Sequence, residues 1–111
     1  MVNRIAGFVE AGEIFGSRKG PGKLRKKVPD YLKRFYADTA IYGYTPGLMC
    51  GYAFFGADHL VFGADFPLGD TERGNRNYRQ TINAIEEMDI PEADKRKIYE
   101  ENVKGLMRLH I

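Results

Sequence analysis

The sequence predicts an α/β fold built on parallel strands, with too few strands to complete a sheet of its own. Three observations predict it. Two short aromatic or apolar runs, residues 35–39 (FYADT) and 59–64 (HLVFGA), read as strands. Helical patterns lie between and after them, and this alternation favours parallel pairing. The second run is apolar on both alternating faces, with Val61 on one and Leu60 and Phe62 on the other. Strands covered on both sides look like this.

Taken in order, residues 3–11 place Ile5, Phe8 and Val9 at helical spacing. The stretch 16–22, GSRKGPG, is turn chemistry that ends any helix. A basic loop spans residues 16–28. Pro29 can occupy the first turn of a short helix over 30–33, because that turn needs no donor from it. After the first strand, Thr45 is a cap and Pro46 the first residue of a helix that stops at Gly56. Pro67 forces the chain out of the sheet after the second strand. Residues 68–74 are polar and contain Gly69 and Gly74, which makes them a loop. Residues 75–88 form a helix with Tyr78, Ile82, Ile85 and Met88 as its apolar stripe. Pro91 opens a last helix running to about Asn102, with Ile98, Val103, Leu106 and Leu109 as its core contacts and Gly105 weakening its end. No internal repeat is visible, so residues 1–111 are expected to form a single, partial domain.

Composition narrows the function classes. Hydrophobic residues make up 43% of 111 positions, enough for a modest core. No apolar run nears the roughly 18 residues of a membrane helix, so no membrane partner is expected. The first twelve residues lack a signal layout. A lone cysteine, Cys50, excludes an internal disulfide and fits a reducing, cytoplasmic setting. Flanked by Met49 and Gly51, it reads as a packed small hydrophobe. Six basic residues (Arg18, Lys19, Lys23, Arg25, Lys26, Lys27) fall within ten positions that hold no acid; subtracting them from the net +2 leaves −4 elsewhere. An acidic body with one basic loop is not the spread basic face of a nucleic-acid binder.

Three tracts carry a resemblance: FYADT at 35–39, GADHLVFGADFP at 56–67, and IYEENVKGL at 98–106. They resemble the end of the amidohydrolase-2 family, which includes the aminocarboxymuconate-semialdehyde decarboxylase type. The family pattern is an aromatic-Asp-Thr strand, then Gly-x-Asp-basic-apolar-x-Phe-Gly-Ser/Thr-Asp-Tyr/Phe-Pro, then Ile-x-x-x-Asn-Ala on a last helix. The likeness covers nearly the whole chain. Ala64, Val103 and His59 depart from the usual residues, and none of the three is the ligand position.

The resemblance implies that the chain is the C-terminal third of a (β/α)8 TIM barrel: strands seven and eight with four to five helices. It implies that Asp65, ending strand eight, binds a catalytic divalent metal, zinc by expectation, and helps activate its water. The family's other ligands are histidines on earlier strands, a His-x-His pair among them, and neither His59 nor His110 sits in such a motif. The chain alone is therefore expected to hold no metal and to be inactive. Arg4, just before Ile5, resembles an arginine that in the decarboxylase branch holds a substrate carboxylate in a neighbouring subunit's site; a solvated helix-start arginine is the alternative. Asp38 ends the other strand and faces either the substrate or a local cap.

Physical reasoning alone agrees on Asp65. Functional residues of such barrels sit at the C-terminal ends of strands, and carboxylate oxygens suit hard divalent ions. His59 begins the same run six residues earlier, about 20 Å away at roughly 3.3 Å per residue, and could not share a metal with Asp65. Two functions from different classes follow. One is the terminal segment of a metal-dependent hydrolase or non-oxidative decarboxylase acting on a small molecule. The other is a truncated, non-catalytic module that self-associates as a homo-oligomer through strand edges or exchanged helices. The coding sequence upstream of residue 1 would separate them.

Overall fold

The computed structural model describes residues 28–68 and 75–111. The predicted helix over 3–11, Arg4, and the basic loop up to Lys27 lie outside the described residues. The chain divides into two compact units, residues 1–35 and 36–111. Of the first, the described part is a short helix, α1 (Val28–Leu32), with Pro29 in its first turn as expected.

The second unit holds β1 (Ala37–Asp38), α2 (Thr45–Phe55), a 3-10 turn (Ala57–His59), β2 (Leu60–Val61) and α3 (Asn75–Glu86). A terminal helical rod follows, made of α4 (Glu92–Arg96), a π-turn (Lys97–Glu101) and α5 (Asn102–Met107). The two strands pair in parallel, Ala37 with Leu60 and Asp38 with Val61. The mixed α/β class and the parallel pairing agree with the sequence. The strands are shorter than expected, because each ladder residue needs a neighbour and β1 and β2 are the only described strands.

Leu48 of α2, Leu60 of β2, Ala84, Ile85 and Met88 on and after α3, and Ile98 of the π-turn form the core. Ile85 and Ile98 are wholly buried. Burial of such side chains is worth about 1.5–3 kcal/mol each, so the core rests on a few residues. Cys50 is exposed, contrary to expectation. It lies about 200° around α2 from Leu48, while Leu48, Tyr52 and Phe55 share the inward side.

The helix starts also differ from the sequence reading. Tyr44 precedes α2, and Thr45 is its first residue rather than its cap; the Thr45 hydroxyl donates instead to Glu87 Oε2 at 3.0 Å. Pro91, likewise, caps α4 from outside. On α3 the buried face includes Asn77 and Thr81, while Tyr78 is exposed. Asn77 can be buried because its Nδ2 donates to the Leu68 carbonyl at 2.7 Å. Leu106 and Leu109 are exposed, not core: Leu106 stands in the last turn of α5, and Leu109 follows the left-handed Arg108 that ends it.

Charge networks join the elements around this core. Tyr52 Oη donates to Asp94 Oδ2 at 2.7 Å, and Lys97 reaches Asp58 at 2.8 Å and Asp94 at 3.5 Å. The hydrogen bond to Asp94 raises the Tyr52 phenol, and that from Lys97 lowers the Asp58 carboxyl. Buried Lys95 donates to the Glu86 carbonyl at 3.0 Å and pairs with Glu92 at 2.9 Å, capping the C-terminal end of α3. Burial, then the hydrogen bond to Glu86, holds the Tyr99 hydroxyl well above its ordinary range.

Candidate functional site

The site begins where the two strands end. Asp38 is the last residue of β1, and its Oδ1 accepts the Ala40 N–H at 2.9 Å, turning the chain away from the sheet. It is exposed, so this local turn and a reach into solvent are both open to its two oxygens. The loop beyond β1 carries Tyr42 and Gly43 in the left-handed region. Gly43 is required there: a Cβ would stand 2.9 Å from Gln80 Cβ on α3.

Thr39 holds the two strand ends together. It is 1% exposed, its Oγ1 donates to the Gly63 carbonyl at 2.9 Å and accepts the Gly63 N–H at 3.1 Å. A side chain thereby continues the ladder one step beyond the backbone pairing. Gly63 lets the strand ends approach closely, since a Cβ there would sit 3.0 Å from Asp38 Cβ and force it to shift. Thr39→Val should cost about 1–3 kcal/mol, because both Gly63 groups lose a buried partner. Urea unfolding measures this, and a loss below about 0.5 kcal/mol would show that water replaces the hydroxyl freely.

Two residues after Gly63 stands Asp65, exposed and in the left-handed region at φ 53°. Its carbonyl accepts the Leu68 N–H at 2.7 Å, which closes a turn around Phe66 and Pro67. The Phe66–Pro67 peptide is cis. The left-handed backbone of Asp65 costs a non-glycine residue of order 1–3 kcal/mol and is tolerated where surroundings impose it, often at functional positions. The structure thus brings Asp38 and Asp65 to the carboxyl ends of paired parallel strands, with Gly63 packed against Asp38.

His59 stands elsewhere. It closes the 3-10 turn before β2 and does not lie on the strand itself, which corrects the sequence reading. Its ring stacks on Tyr36, centroids 4.7 Å apart and planes at 9°, one register step ahead of the Ala37–Leu60 pair. The stack is at the start of the strands and the aspartates are at their ends. His110 lies in the exposed tail after α5.

Solved structures share this fold over part of their length. The chain is similar to an IDCase of Metarhizium anisopliae in apo form, at 27% identity and TM-score 0.70, covering 99% of this chain and 31% of that one. It is similar to a dihydroxybenzoic acid decarboxylase from Polaromonas sp. JS666 with bound manganese and the inhibitor 2-nitroresorcinol: 24% identity, TM-score 0.68, coverage 90% and 29%. A 2,6-dihydroxybenzoate decarboxylase from Rhizobium gives 22% identity, TM-score 0.66, and coverage of 88% and 29%. The mixed α/β fold matches part of a TIM-barrel decarboxylase. The chain spans under a third of the length of these neighbours. No family model matches it, and no curated protein matches it.

Does the donor set fit a metal? Among the described residues no group of three or more His, Cys, Asp or Glu side chains could hold one. Asp65 and Asp38 are oxygen donors without imidazole beside them, and stable binding needs several fixed ligands at once. The described residues do not by themselves make a metal centre. Among them, no helix is long and apolar enough to cross a membrane.

Sequence reasoning missed Asn102 and Thr39 as structural agents, although both fall in the quoted tracts. Asn102 Nδ2 donates to the carbonyls of Ala57 and Leu60, each at 2.7 Å. The signal that could have found it is an amide side chain on an otherwise apolar inward face of the last helix.

Proposed function

We propose that this chain is the last β/α portion of a metal-dependent barrel enzyme of the amidohydrolase-2 type, one that removes a carboxylate as carbon dioxide without oxidation. Asp65 is then one oxygen ligand of the divalent metal, and the remaining ligands come from outside this chain. The observation that carries the reading is the position of Asp65: it follows the carboxyl end of β2, where such barrels keep their chemistry, in a fold shared with decarboxylases. Decarboxylation is favoured over hydrolysis because the neighbours named above include two dihydroxybenzoate-type decarboxylases. The bound manganese of one neighbour supports a divalent ion and leaves manganese standing beside zinc. Asp38 flanks the substrate from the neighbouring strand end, and Arg4, outside the described residues, holds a substrate carboxylate in a neighbouring subunit's site through its paired donors.

The test is a chimera in which this chain replaces the corresponding part of the Polaromonas decarboxylase. Carbon dioxide release dependent on manganese and on Asp65 is expected.

A second reading has one observation in its favour. Leu106, Met107, Leu109 and Ile111 are all exposed at the end of the chain, and apolar surface of this kind favours association. On that reading the chain is a non-catalytic, self-associating module. Sedimentation equilibrium should then show a homo-dimer at micromolar concentration; a monomer mass independent of concentration would remove it.

A further inference from the structure

We propose that the terminal helix serves β2 as a surrogate neighbouring strand, and that Asn102 is a positioning residue for the Asp65 turn. Backbone groups along an extended strand alternate sides. Gly63 presents its N–H and C=O to Thr39, on the β1 side. Leu60 and Phe62, three residues and one residue earlier, therefore present theirs to the opposite edge. Those are the groups the terminal helix takes: the Leu60 carbonyl accepts from Asn102 Nδ2 at 2.7 Å, and the Phe62 N–H donates to the Ile98 carbonyl at 2.9 Å.

The π-turn makes this possible. In an α-helix the Asn102 N–H would bond the Ile98 carbonyl, four residues back. Here it bonds Lys97 O, five back. The Ile98 carbonyl is thereby turned over to Phe62, while the Ile98 side chain stays wholly buried in the core. Asn102 then reaches past it with both amide protons, one to Ala57 in the 3-10 turn and one to Leu60. The helix grips the segment at residues 57, 60 and 62, and Thr39 grips it at 63 from the other side. Asp65, in its left-handed conformation, is the first functional group past this double clamp.

That Asp65 is what needs positioning rests on the proposed function; the clamp itself does not. Native-state hydrogen exchange of the metal-free full chain separates the two. In the unsubstituted chain the Phe62 amide is expected to be as protected as those of Ile85 and Met88. In Asn102→Ala, exchange across residues 60–68 should accelerate at least tenfold more than at Ile85 and Met88. Should that variant fail to fold, Asn102→Ser, which keeps one hydroxyl donor, is read in the same way. Acceleration equal at all these amides would mean that Asn102 only adds stability, and would overturn the proposal. So would a Phe62 amide that exchanges as fast as an exposed loop in the unsubstituted chain. Neither result depends on Asp65 binding a metal.

Discussion

Ile98→Ala is expected to destabilise the chain by about 2–5 kcal/mol, the cost of truncating a fully buried isoleucine to a methyl. Ile98 is 0% exposed and belongs to a core of six buried residues that also includes Leu48, Leu60 and Ile85. Natural domains hold only about 5–15 kcal/mol in all, so this one change should consume a large part of the stability. The substitution leaves the Ile98 carbonyl in place, so its bond to Phe62 survives in whatever remains folded. The loss therefore reports the side chain alone. Leu106→Ala is the control: Leu106 is 52% exposed, and its truncation should cost less than about 1 kcal/mol. Urea midpoints at constant slope measure both. Equal losses for the two would mean that the core is not where the burial places it.

What could be read from the sequence was the pattern of burial along regular elements. The apolar run around Leu60, the helix ended by Gly56, and the inward positions of Ile85, Met88 and Ile98 all follow from periodicity and turn chemistry. The failures arise where periodicity is taken to imply a helix that continues and an interior that is apolar. The end of α5 at Met107 breaks the first assumption, and Leu106 in its last turn and Leu109 beyond the left-handed Arg108 are exposed. Asn77 and Thr81 break the second, since hydrogen bonding makes burial of a polar group tolerable, as the Leu68 carbonyl does for Asn77. Cys50 was misplaced because nearly every residue of α2 is apolar, and such a helix does not declare which side faces in.

The site divides in the same way. Asp65 and Asp38 could be proposed because each ends an apolar or aromatic run and belongs to a resemblance carried by neighbouring residues. The clamp that holds their backbone could not. Thr39 and Gly63 are 24 residues apart, and Asn102 is 42 from Leu60. No local rule links such partners; only the parallel pairing of β1 and β2, with the terminal helix laid along the far edge, brings them together.

Asp65→Ala in the chimera with the Polaromonas decarboxylase is expected to lower manganese-dependent carbon dioxide release by at least a thousandfold, roughly 4 kcal/mol of transition-state stabilisation. A metal ligand acts as part of a set: removing one carboxylate changes the ion's charge, its occupancy and the aim of whatever it polarises. Asp65 is free to serve, because its carboxylate is exposed while its backbone is fixed by the turn to Leu68. The same reasoning predicts that the 111-residue chain by itself neither turns over dihydroxybenzoate nor takes up manganese or zinc at one equivalent under micromolar conditions. The described residues gather no three ligands, and a single carboxylate does not repay the dehydration of a divalent ion. Equilibrium dialysis with metal analysis checks the isolated chain, and carbon dioxide release checks the chimera. A folded, active chimera whose Asp65→Ala variant stays within tenfold of its parent would remove Asp65 from the chemistry. Stoichiometric metal on the isolated chain, lost with Asp65→Ala, would show instead that a second copy completes the ligand set.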